Sequence, residues 1–286
     1  MPDFGTETMA RLLANPVLEV FPSSGIEERV AQLPEGSRIS VTCSPTKGVD
    51  ATLALSGWLR GEGFTVVPHL SARLVDDHHH LDAICRRVTE LGIDEIFVIG
   101  GDVKQHAGRF SSAYELLAAM AELGHGFDEV GIAAYPEGHP WLPDETLWQH
   151  LLAKQPLATY MVTQMCFDPG AILAWIDRTQ REGVALPVVI GLPGVVQRRK
   201  LLGLSLKIGV GDSTRFIAKH ADLTARLMGS GRYSPEDLVT RLVLDAERQG
   251  LPLGGLHIYT FNQIDGTERW RRQMLRSLGG ERGAGT

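Results

Sequence analysis

Short runs of Val, Ile, Thr and aromatic residues alternate along this chain with amphipathic segments of helix length, and no other feature restricts the fold as much. The runs predict strands at Val17 to Phe21, Arg38 to Cys43, Thr65 to His69, Glu95 to Ile99, Val130 to Tyr135, Tyr160 to Gln164, Val188 to Gly191 and Leu256 to Thr260. Helical periodicity covers Ile26 to Leu33, Asp50 to Arg60, Leu81 to Leu91, Ser112 to Leu123, Glu145 to Ala153, Gly170 to Glu182 and Pro235 to Gln249, with a last helix from about Gly266 to Leu278. Eight strand–helix repeats in 286 residues, without a linker-like break, predict one α/β domain, a (β/α)8 TIM barrel. An open doubly wound sheet is the competing arrangement, but no GxGxxG follows the first strand to open a dinucleotide-binding half. The stretch from Leu192 to Gly255 has room for extra helices, residues from about 1 to 16 read as an N-terminal helix, and the Gly-rich end from about 279 to 286 reads as a disordered tail.

A barrel gives the polar residues a direction, because its ligands meet the C-terminal strand ends and the loops after them. Glu19 lies in strand one, Thr42 and His69 end strands two and three, Asp102 follows strand four, and Tyr135 and Gln164 end strands five and six. All of these would then face one mouth. The segment Ala133-Ala134-Tyr135-Pro136-Glu137-Gly138-His139-Pro140 leaves strand five with Tyr, Glu and His held between two prolines, which reads as a binding wall or as a stiffened turn. Glu19, flanked by apolar residues in a strand covered on both faces, suits a general acid, since desolvation favours its protonated form; a structural hydrogen bond is the alternative. Gly100-Gly101 before Asp102 lets the backbone approach a flat ligand or simply turn. The Gln164 amide can donate and accept at once, so it can read another amide or a heterocycle edge, or it can be a rim residue.

Composition narrows the partners. A net charge of -6 gives no basic field for nucleic acid or anionic membrane, and no run of roughly 18 apolar residues could span a bilayer. Cys43, Cys85 and Cys166 form no CxxC pair and read as buried thiols of a reducing cytoplasm. His78-His79-His80 after Asp76-Asp77 reads as a solvated helix start rather than a metal site, because adjacent helical residues do not share a face. Arg198-Arg199-Lys200 is the densest basic patch, a solvated helix face or an attractor for an acidic ligand tail.

Taken in order, Leu18-Glu19-Val20-Phe21-Pro22, Val41-Thr42, Pro68-His69-Leu70, Gly101-Asp102, the AAYPEGHP segment, Thr163-Gln164 with Phe167-Asp168, and His257-Ile258-Tyr259-Thr260-Phe261-Asn262 resemble methylenetetrahydrofolate reductases over nearly the whole chain. The resemblance implies a cytoplasmic (β/α)8 oxidoreductase of one-carbon metabolism and methionine biosynthesis. In such enzymes NADH or NADPH reduces FAD, and the flavin reduces 5,10-methylenetetrahydrofolate to 5-methyltetrahydrofolate. It implies catalytic roles for Glu19, Asp102 and Gln164: the acid that opens the bridged methylene, the carboxylate that orients the pterin, and the amide that meets folate and nicotinamide. Substrate contacts would fall on those three and Tyr259, and flavin contacts on Thr42, His69, Gly101, Asp102, Phe110, Ser111, Ala133, Tyr135, His139 and Lys154.

The chain departs from the pattern where the family holds the flavin phosphates. Gly100 replaces an arginine, Phe110 a tyrosine, and the helix that brings Asn, Arg and Lys offers His150, Ala153 and Lys154. Each lost charge-assisted bond removes on the order of 1.5–3 kcal/mol, so a flavin-free variant with direct hydride transfer is an open alternative. Val195-Val196-Gln197-Arg198 stands where the family carries a stacking aromatic after strand seven, and the chain stops after the barrel, so no AdoMet-responsive domain is expected. A barrel that binds folate without turning it over, as a partner in demethylation, is the reading from another functional class.

Overall fold

Thr65–Ser71 forms a strand (β3) in which every residue from Val66 onward is buried, as expected of a parallel strand covered on both faces. The computed structural model describes residues 5–103, 107–139, 142–207 and 231–280. Beside β3 lie β1 (Val17–Val20), β2 (Arg38–Val41), β4 (Glu95–Ile99), β5 (Glu129–Ala134), β6 (Tyr160–Thr163), β7 (Val188–Pro193) and β10 (Gly255–Tyr259). Their order, β1-β10-β7-β6-β5-β4-β3-β2, is that of a closed barrel, the predicted (β/α)8 class.

Helices follow the strands: α2 (Ile26–Val30), α3 (Gly48–Gly61), α4 (His78–Glu90), α5 (Ala113–Leu123), α6 (Asp144–Lys154), α7 (Pro169–Arg181), α9 (Glu236–Gln249) and α10 (Ile264–Gly280), with α1 (Thr6–Ala14) ahead of β1. Local chemistry sets their ends. Asp77 caps α4 by accepting the His80 N–H at 2.8 Å, so the histidine triplet is a helix start, as expected. Asp168 caps α7 through the Gly170 and Ala171 N–H groups, with Pro169 at the first helical position.

Between β7 and β10 the expected extra helix is α8 (Arg198–Lys207). A feature the periodicity did not indicate joins it, a two-stranded antiparallel ribbon of β8 (Val196–Gln197) and β9 (Arg232–Tyr233), too short to leave a period-2 signal. The last helix runs to Gly280, past the expected start of the disordered tail near residue 279, and the rest of the tail (281–286) and of the extra-helix expectation (208–230) lies outside the described residues. Strand ends shift by one or two residues. β3 continues past His69 to Ser71, because Ser71 still pairs with Ile99.

The chain divides into two compact units. One holds Val17–Ala134 and His150–Val162. In it the register aligns β1 with β2, β2 with β3, β3 with β4 and β4 with β5, all parallel. A polar group is built among its strands: Arg38 reaches both Glu95 carboxylate oxygens, at 2.9 and 2.7 Å. The neighbouring Tyr160 phenol is held well above its ordinary pKa by burial, then by the Glu95 charge. Gly131 makes room for the Tyr160 ring. The other unit holds α1 and the remaining described residues from Tyr135 to Gln149 and from Thr163 onward. There Arg11 donates to the Leu253 carbonyl at 2.9 Å and Arg271 to that of Leu13 at 2.8 Å, fastening the N-terminal helix to the last segments.

A Cβ on Gly131 would meet the Tyr160 ring and come within 2.7 Å of Phe97. Gly131→Ala is therefore expected to cost about 1–3 kcal/mol in urea denaturation, as overpacked cores do, and an unchanged midpoint would contradict this packing.

Candidate functional site

In the first unit, register and alternation place Glu19 beside Ser40 on β1 and β2, and His69 beside Phe97 on β3 and β4. The Glu19 carboxylate lies 3.9 Å from the His69 imidazole Nε2. Glu19 keeps 16% of its side-chain surface exposed and His69 5%, so the pair combines a buried imidazole with a carboxylate that still reaches outward. The His69 ring packs on Phe97 with centroids 4.8 Å apart, which fixes its plane. Thr42 follows β2 with its N–H on the Val20 carbonyl, and its own carbonyl accepts the Thr52 hydroxyl.

Gly101 adopts φ +93°, a left-handed conformation that glycine takes without strain. Asp102 beyond it is exposed. The chain after β4 is stitched to the segment after β3. Arg73 donates to the carbonyls of Ser111 (2.9 Å) and Val103 (3.0 Å), its backbone N–H bonds Gly100, and the Ala107 and Arg109 N–H groups bond Arg73 and Asp76. Phe110 is buried and packs on the His78 ring with centroids 5.3 Å apart. Ser111 gives both its N–H and its hydroxyl to the Glu115 carboxylate, at 2.6 and 3.0 Å. Lys154, at the end of α6, is buried and donates to the Ala133 carbonyl at 3.3 Å.

In the second unit, the AAYPEGHP segment is a turn closed by Gly138 N–H on the Tyr135 carbonyl at 3.1 Å, with Pro136 stiffening its first corner. Tyr135 and His139 meet edge to face at 5.1 Å. Pro140 falls outside the described residues. The turn aims Glu137 at the loop after β6: one carboxylate oxygen accepts the Phe167 and Asp168 N–H groups at 3.0 and 2.9 Å. At the start of that loop, Thr163 accepts the Gly191 N–H on its hydroxyl at 2.8 Å, and its carbonyl accepts the Tyr259 hydroxyl at 3.1 Å. Gln164 bends back so that its amide oxygen accepts the Met165 N–H at 2.8 Å, and the Cys166 thiol donates to the Gln164 carbonyl. Tyr259, expected as a substrate contact, braces the strand end that carries Gln164.

Of the expected residues, Glu19 and His69 come together in one unit, as do Lys154 with Ala133. Gln164 with Tyr259, through Thr163, and Tyr135 with His139 come together in the other. Sequence reasoning missed Glu137 as a strap, Thr163 as a clamp, and the Arg73 stitch. Only Glu137 left a signal, as a carboxylate between Pro136 and Gly138 just past a strand. In the basic patch, Lys200 donates to the Phe261 carbonyl at 3.2 Å, and Arg199 is exposed.

Parallel strands closed into a barrel and followed by helices define the class, a (β/α)8-barrel protein. The model of the methylenetetrahydrofolate reductase family matches residues 28–269, and the chain belongs to that family. Methylenetetrahydrofolate reductase 1 of Schizosaccharomyces pombe is 32% identical over 124 residues, which span 39% of this chain and 20% of that protein. Methylenetetrahydrofolate reductase 2 of Saccharomyces cerevisiae is 24% identical over 185 residues, 60% of this chain and 30% of that one. The chain therefore matches less than a third of the length of these curated relatives. A solved structure, of an uncharacterized protein from Clostridium thermocellum said to bind two copies of 5-methyl-5,6,7,8-tetrahydrofolic acid, shares the fold. Its TM-score is 0.60 at 11% identity, covering 95% of this chain and 98% of that one.

The family implies FAD, and the positions that would hold its pyrophosphate do not fit it. Gly100 has no side chain, Phe110 has no hydroxyl and is buried, and both Ser111 donors are taken by a carboxylate that would repel a phosphate. Among these described positions Lys154 brings the cation, and it lies inside the unit on a backbone carbonyl.

Burial pushes the Lys154 amine down to about 8 from an ordinary 10.5. The unfolded chain therefore binds more protons between those values, and stability must rise with pH across that window. Against a Lys154→Met variant, the wild-type unfolding free energy is expected to gain on the order of 2–3 kcal/mol between pH 8 and 10.5, and parallel curves would contradict the burial.

Proposed function

We propose that this chain reduces 5,10-methylenetetrahydrofolate to 5-methyltetrahydrofolate with NADH or NADPH, the hydride passing from nicotinamide to folate without a flavin between them. The observation that carries the reading is Glu19 beside His69 in a chain of this family. Glu19 protonates the N10 side of the methylene bridge as the carbon–N10 bond breaks, leaving an N5 iminium. Hydride from the reduced nicotinamide adds to the iminium carbon, which becomes the methyl group, and the oxidised nicotinamide leaves. In this reading a proton returns to Glu19 by way of the neighbouring His69. A carboxylate acid of this kind contributes roughly 10²–10⁴-fold.

Asp102, as an anion, favours the positive charge on the iminium, and Gln164 reads the pterin and the nicotinamide carboxamide through its amide. The disagreement between the phosphate positions and FAD supports direct transfer, because Glu115 already occupies the Ser111 donors that a pyrophosphate would need. The folate-binding structure from Clostridium thermocellum supports the ligand class through its fold.

Two outcomes are expected. The purified protein is colourless, lacking the flavin band near ~450 nm, and oxidises NADH or NADPH with methylenetetrahydrofolate at a rate that added FAD leaves unchanged; a stoichiometric flavin required for turnover would sink direct transfer. Glu19→Gln keeps folate binding within about 3-fold and lowers turnover about 100-fold or more, and unchanged turnover would remove Glu19 from the chemistry.

A further inference from the structure

We infer that Glu137 is a positioning residue for Gln164, and this rests on the proposed reaction. The Gln164 amide is oriented by its backbone: its oxygen accepts the Met165 N–H, which turns the NH2 group to the other side, where it can donate to an acceptor such as a carbonyl oxygen. That arrangement holds only while Met165 and the residues after it keep their backbone path. Behind Gln164 the path is fixed by Thr163, whose hydroxyl takes Gly191 N–H and whose carbonyl takes the Tyr259 hydroxyl. Ahead of it the Cys166 N–H bonds the Gly191 carbonyl at 3.1 Å, and the next two N–H groups converge on one oxygen of Glu137.

Both bonds to Glu137 are charge-assisted, and they come from a separate stretch of chain, so the proline-closed turn transmits its rigidity to the loop that bears Gln164. Glu137 therefore works through Gln164 without needing to touch a ligand. The adjacent Asp168 is committed to capping α7, which keeps the far end of the loop in register with the helix.

The test compares Glu137→Ala, Glu137→Gln, Gln164→Ala and the double variant Glu137→Ala/Gln164→Ala, in the full chain. Glu137→Ala is expected to lower kcat/KM about 10-fold or more, while Gln164→Ala with Glu137→Ala falls no further than Gln164→Ala alone, the mark of residues acting as one unit. Glu137→Gln is expected to recover most of the loss, since an amide oxygen still accepts both N–H groups. Amide hydrogen exchange over 164–168 is expected to speed up about 10-fold in Glu137→Ala, with exchange in β2–β4 unchanged. Multiplicative losses in the double variant, or unchanged exchange over 164–168, would overturn the inference. A wild-type chain without turnover would instead sink the functional reading, and exchange alone would then decide the role of Glu137.

Discussion

The end of β6 hangs on one residue. A strand that gives way to a loop must satisfy its last backbone groups without another rung of the ladder. Thr163 does this with its hydroxyl on the Gly191 N–H and its carbonyl under the Tyr259 hydroxyl, tying β6 to both β7 and β10. The approach is so close that a Cβ at Gly191 would run into the Thr163 carbonyl, which explains the glycine. Everything that gives Gln164 a direction follows from that node and from the Glu137 carboxylate on the far side of the same loop.

The other unit shows the same economy with a different result. Its Glu19 and His69 are held by strand register and by packing on Phe97, leaving the acid partly open and the imidazole dry. The described residues after β4, where the family would engage a flavin, are taken up by their own contacts: Arg73 reaches Val103 and Ser111, Phe110 packs inward, and Glu115 takes the Ser111 donors. The Glu19–His69 pair thus stays partly open, while the Ser111 and Phe110 positions are committed to internal contacts. Lys154 fits this picture, as a buried amine resting on a carbonyl.

Much of this was legible in the sequence. Strand and helix periods in a βαβ series carry the barrel, because burial on both faces and burial on one stripe leave different patterns. The departures at Gly100 and Phe110 were readable because they are changes of side chain. What was hidden were bonds that end on backbone: Glu137 on two N–H groups, Arg73 on two carbonyls, Tyr259 on the Thr163 carbonyl. Such partners have no residue-type signature, so only the folded chain reveals them. The ribbon of β8 and β9 escaped for another reason, since two-residue strands show no alternation.

Direct transfer from nicotinamide to folate is the claim on which the account stands, and isotope transfer tests it most directly. With NADH or NADPH deuterated on the transferring face and unlabelled methylenetetrahydrofolate, mass spectrometry of the product is expected to find the deuterium in the methyl group of 5-methyltetrahydrofolate. A flavin carrier would expose the label to exchange with water at its N5–H before delivery, and a product without deuterium would contradict the account.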